Sequence, residues 1–143
     1  MLLNLQQPDA PAVWLVGVKL METQVVCVDS SEFRGRELCA ALRGAGCNVW
    51  HGRDVRDLLL LATRLNFRAV VADQASLLRF PELWAQFDEM LPEVPVLMHS
   101  ANGTGRQRNV SRQVSIAGDR PELIVVMLTL LLADSAHDTR AVA

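Results

Sequence analysis

Three stretches of this chain end in side chains that could do carboxylate chemistry. Gln24 to Val28 runs apolar into Asp29, Ser30 and Ser31. Ala69 to Ala72 is a continuous apolar run bracketed by Arg68 and Asp73, and Val96 to Met98 leads into His99, Ser100 and Ala101. Short runs of this kind are the pattern of strands buried on both faces of a parallel sheet. In an open α/β sheet, ligands collect at the carboxyl ends of the strands, where loops are free of helix packing. An Asp placed there can hold a hard divalent cation or act as a nucleophile. Taken alone, Asp73 reads more simply as a solvated residue opening a loop.

The other chemistry-bearing residues argue against competing classes. Cys27, Cys39 and Cys47 are odd in number and lack Cys-x-x-Cys spacing, which speaks against a disulfide framework or a thiolate zinc site. Buried free thiols in a reducing cytoplasm are the expectation. His51, His99 and His137 are far apart and without the spacing of a metal pair. A net charge of −2 gives no electrostatic case for nucleic acid or an anionic membrane. The run Val13 to Val18 is too short to span a bilayer, and no Lys or Arg precedes Lys19 to make a signal peptide.

The elements that must position these residues follow from periodicity. With 143 residues, half of them apolar, one compact domain is expected. After Gln24 to Val28, Ser30 or Ser31 can cap a helix that begins near Glu32, buries Leu38, Ala41, Leu42 and Ala45, and stops at Gly46. Cys47 to Trp50 reads as a second strand. Asp54 can cap a helix with Val55, Leu58, Leu61, Ala62 and Leu65 inward, closed by Asn66. Pro81 opens a helix with Leu83, Trp84, Phe87 and Met90 as its inner stripe. Val114 to Ala117 can be a fifth strand, and Pro121 opens a last helix running to about Ala133. Between strands four and five, Asn102 to Gln113 holds Arg106, Arg108, Arg112 and one apolar residue, Val110, so a helix there is expected to be degraded.

Five strands alternating with four or five helices give an α/β class: a flavodoxin-like, doubly wound five-stranded parallel sheet in a three-layer sandwich. The motifs resemble the receiver domains of two-component response regulators. Val-Cys-Val-Asp29 matches the acidic site after strand one, Ala-Val-Val-Ala-Asp73 the phosphoacceptor, and Pro-Val-Leu-Met-His-Ser100-Ala101 the Ser-Ala after strand four. Asp73 lies 44 residues beyond Asp29, and Ser100 a further 27, as in that family. The resemblance implies that Asp73 is the candidate phosphoacceptor, that Ser100 contacts a phosphoryl group, and that Asp29 and Asp73 ligate Mg2+. It also implies a histidine kinase or output-domain partner.

The chain departs from the family at the points that matter most. Ser30 stands where a second acid is usual, which predicts weak Mg2+ binding. Arg120, followed by Pro121, stands nearest the usual Lys-Pro, and a planar guanidinium is no simple substitute for an ammonium. Ala117 replaces the aromatic residue three positions earlier. We therefore expect a non-enzymatic, cytoplasmic, degenerate receiver acting by protein–protein contact. The alternatives are a working phosphoacceptor with Arg120 in place of Lys, and a small-molecule-binding flavodoxin-like domain. The expected organisation is an N-terminal extension (1–22), a receiver-like domain (23–135) and a tail or linker (136–143). The extension's apolar run reads as an added edge strand or a partner-binding arm. From Leu123 to Ala133 only Thr129 is polar, which predicts a homodimer through the helix Pro121 to Ala133.

Overall fold

In this computed structural model, residues 21–100, 113–118 and 120–142 are described, with side chains described as far as Ala133. Five strands, β1 (Gln24–Val28), β2 (Asn48–Gly52), β3 (Ala69–Asp73), β4 (Val96–Ser100) and β5 (Gln113–Ala117), form one sheet in the order β2-β1-β3-β4-β5. All four pairings are parallel. The helices are α1 (Glu32–Gly44), α2 (Val55–Ala62), α3 (Gln74–Leu77), α4 (Pro81–Met90) and α5 (Pro121–Val142).

Strand side chains alternate between the two faces, so each strand feeds two cores. Val25 and Cys27 of β1, with Val71 of β3, pack against Leu38 and Leu42 of α1 and Ile124 and Leu128 of α5. Val26 and Val28, with Val70 and Ala72, meet Val55 and Leu58 of α2, Leu77 of α3 and Phe87 of α4. Burial on both faces is what the unbroken apolar runs of β1 and β3 required, and it makes the three-layer sandwich. Ser31 caps α1 by accepting from the Arg34 N–H at 3.3 Å. Gly46 takes φ +102° just past α1, the left-handed conformation a side chain would oppose.

Several elements differ from the sequence expectation, each for a local reason. β2 begins one residue later than Cys47 and continues through His51 to Gly52, because pairing with β1 extends it despite exposed side chains. α2 ends at Ala62 rather than Asn66, with Thr63 folding its hydroxyl back to the Leu60 carbonyl at 2.7 Å. α3 was not expected at all, since four residues carry no periodicity. Met90 is exposed, and the inner stripe of α4 centres on Phe87, which stacks on Phe67 and Trp84. β4 runs on past Met98 to Ser100, so His99 lies within the strand and is buried. α5 continues to Val142, beyond the end expected near Ala133, because neither Gly nor Pro interrupts it after Pro121. The apolar arm Ala12 to Val18 and most of the Arg-rich segment, including Arg106, Arg108 and Arg112, lie outside the described residues.

Candidate functional site

After β1 the chain crosses to β2 on one side, and β3 returns to the other side of β1. The carboxyl ends of β1 and β3 therefore diverge at a topological switch point, where such sheets bind ligands. Asp29 leaves β1 there and Asp73 ends β3 beside it.

Asp29 is 1% exposed. Its Oδ1 accepts from the Ser31 N–H at 2.8 Å and from the Arg34 guanidinium at 3.2 Å. Its Oδ2 is shut from solvent and has no hydrogen-bond donor among the described residues. The same guanidinium nitrogen lies 3.9 Å from Asp73 Oδ2. One arginine thus faces both carboxylates of the site.

Asp73 is also held from its own side. Its Oδ2 accepts from the Ser76 N–H at 3.2 Å and the Ser76 hydroxyl at 2.8 Å, so the carboxylate caps α3. Ser76 Oγ also accepts from the Ser30 N–H at 2.9 Å and lies 3.0 Å from Ser30 Oγ. A hydroxyl has one proton to give, and Ser76 gives it to the carboxylate, so Ser30 is the donor between the two serines. The residue standing at the usual second acid is therefore tied into a serine bridge between the β1 and β3 loops.

The expected phosphoryl-contact residues are less engaged. Ser100 sits one position past His99, which is in register with Asp73. Its carbonyl accepts from the Gly118 N–H at 2.6 Å, and its hydroxyl bonds neither Asp29 nor Asp73 among the described residues. Arg120 is exposed at the start of α5 and pairs with no carboxylate among the described residues. Glu32 points to water and pairs with Arg36 at 3.2 Å.

On the β2 side an open cavity of about 360 Å³ is lined by Asp29, Ser30, Glu32, His51 and Arg53. His51 Nε2 lies 3.1 Å from the Asp29 carbonyl, which can only accept, so this nitrogen carries the proton. Gly35 permits the contact, since a Cβ there would fall 2.8 Å from His51 Cε1.

A receiver-type divalent ion needs several oxygen ligands drawn from both carboxylates. Here Asp29 Oδ1, Asp73 Oδ2 and Ser30 Oγ are already engaged, and a cationic guanidinium lies against both acids. Among the described residues there is no group of three or more His, Cys, Asp or Glu that could hold a metal. The residues present do not fit the ion. Sequence reasoning missed Arg34 and Ser76. Asp-x-x-Ser is a capping pattern that could have flagged Ser76, whereas Arg34 becomes visible only once α1 is folded over the switch point.

The cysteines sit in the α1 core and none forms a disulfide. Hydrogen bonding between Cys27 and Cys39, then burial, pushes the Cys27 thiol well above its ordinary range, and the same bond lowers Cys39. Burial pushes Cys47 up to about 11. All three are buried and pack in the core.

No protein-family model and no curated protein matches the chain. Solved structures do. The chemotaxis response regulator CheY4 of Vibrio cholerae is 19% identical with a TM-score of 0.65, over 78% of this chain and 99% of that one. The signal receiver domain of an HD domain-containing protein from Pseudomonas fluorescens Pf-5 is 16% identical with a TM-score of 0.64, over 81% and 98%. The anti-anti-sigma factor PhyR from Bartonella quintana is 14% identical with a TM-score of 0.66, over 91% of this chain and 55% of PhyR. With its switch-point carboxylates and its β2-β1-β3-β4-β5 parallel sheet, the chain has the receiver fold of response regulators in a divergent form.

Proposed function

We propose that this chain is a degenerate receiver-like signalling domain that works by protein–protein contact and self-association rather than by phosphotransfer. The observation that carries the reading is the capture of Asp73 Oδ2 by the hydroxyl and N–H of Ser76. A carboxylate that caps a helix and is 7% exposed is poorly placed to attack a phosphodonor. The absence of a lysine after β5 removes the usual partner for a phosphoryl group. The convergence of Asp29 and Asp73 favours the second reading, a working phosphoacceptor. Incubation with a small acyl phosphate and Mg2+, followed by intact mass, separates the two: an unchanged mass is expected, and a phosphoryl adduct absent from Asp73→Asn would establish the second.

Self-association is proposed through α5. Ile124, Val125, Leu128 and Leu132 are buried against the sheet, while Leu123, Val126 and Leu130 form an exposed apolar stripe at spacings of three and four. Fully burying such a side chain is worth roughly 1.5 to 3 kcal/mol relative to full exposure, and these three are 41%, 38% and 53% exposed, so about half of that is available to a second copy on the stripe. Further partners would be a histidine kinase or an output protein, met in the cytoplasm where three free thiols persist. Sedimentation should give a dimer for the full chain and a monomer for Leu130→Glu. A full-length monomer that associates only after removal of residues 1–20 would instead assign the stripe to the N-terminal arm.

A further inference from the structure

We infer that Arg34 is a tethered cation standing in for the divalent ion of a receiver site, so that this domain holds its switch-point carboxylates together without metal. The inference rests on the degenerate reading above but concerns a different residue. Arg34 lies in the first turn of α1, three positions after its Ser31 cap. A cation there opposes the helix macrodipole, so the placement is unfavourable unless nearby anions offset it. The offset is present: one guanidinium nitrogen is 3.2 Å from Asp29 Oδ1 and 3.9 Å from Asp73 Oδ2.

The two acids belong to different strands and meet only at the folded sheet edge, so an uncompensated pair would repel. Asp29 in particular is 1% exposed, and Oδ2 has no donor among the described residues. Its charge is balanced chiefly through Oδ1, by Arg34 and the Ser31 N–H. The Arg34 side chain is 40% exposed and the Asp29 side chain 1%, so the cation of the pair, not the acid, is the part open to solvent. A metal approaching from solvent meets a like charge before it meets the carboxylates.

The test uses Mn2+ alone with the full chain, read by the paramagnetic resonance of free ion and by the thermal midpoint. Wild type should bind no Mn2+ at about 1 mM, a weak limit for oxygen-ligand sites, and its midpoint should not move. Arg34→Gln, which keeps a donor but is shorter and uncharged, should bind Mn2+ at least tenfold more tightly and gain thermal midpoint with the ion. Adding Asp29→Asn to Arg34→Gln should abolish that binding. Arg34→Lys should behave as wild type. Should Arg34→Gln fold only when Mn2+ is present, that too supports the substitution of ion for side chain. Equal Mn2+ affinity in wild type and Arg34→Gln would overturn the inference, as would the absence of binding in both together with an unchanged midpoint. Phosphoryl labelling of wild-type Asp73 in the presence of EDTA would end the non-phosphorylated reading while leaving the role of Arg34 standing.

Discussion

Two aspartate–arginine pairs sit at the same edge of the sheet and do different jobs. Asp54 caps α2, accepting from the Arg56 N–H at 2.9 Å and from the Arg56 side chain at 3.2 and 2.9 Å. Everything in that pair lies within three consecutive residues, and Arg56 stays in solvent, laid over the Phe80 ring at 4.6 Å. Asp29 and Arg34 instead join two loops that are 44 residues apart in the chain, through Asp73. The first pair decorates a helix end, and the second ties β1 to β3. A carboxylate is a site candidate when residues remote in sequence converge on it, and a cap when its partners are its own neighbours.

Substitution at each pair separates the two roles. Arg34→Ala should have the largest effect, about 2 to 3 kcal/mol of stability, below the usual cost of breaking a fully buried pair because the arginine is partly exposed and screened. Chemical denaturation of both proteins measures it, and a loss no larger than that of Arg56→Ala would make the two pairs equivalent. Ser76→Ala should follow at about 1.5 kcal/mol, the usual worth of a hydrogen bond to a charged group, and should also free the Ser30 loop. Faster amide exchange at Ser30 is the readout.

Asp54→Ala should cost about 1 kcal/mol as a lost helix cap. Its partner Arg56 holds the Asp54 carboxyl below the usual value of 3.8. A depressed carboxylate contributes stability that is fully present above the unfolded value and is lost as pH falls through the lower folded value. The gap between wild type and Asp54→Ala should therefore be constant above about pH 5 and close in stronger acid. A gap that widens in acid would contradict the assignment. Arg56→Ala, at a largely exposed site, should have the smallest effect of the four.

Local partners leave a mark in the sequence and remote partners do not. β1 and β3 fell where their apolar runs put them, because burial on both faces leaves no other pattern. Asp54, Ser31 and Pro81 announced helix starts through short-range hydrogen bonding or the lack of an N–H, both local properties. Asp29 and Asp73 were legible as ends of buried strands. Their partners were not, since Arg34 sits among ordinary charged residues of an amphipathic helix and Ser76 belongs to a helix of four residues. The exposure of Met90 was hidden for the opposite reason: it continues the helical period of Phe87 beyond the point where the core ends.

The proposal stands or falls on whether the switch-point carboxylates, held by Arg34, Ser31 and Ser76, accept a phosphoryl group. Fluorine-19 NMR of the full chain with Mg2+ and beryllofluoride, a mimic of an aspartyl phosphate, tests it most directly. The account expects only the resonances of free fluoride species. Protein-bound resonances that disappear in Asp73→Asn would contradict it.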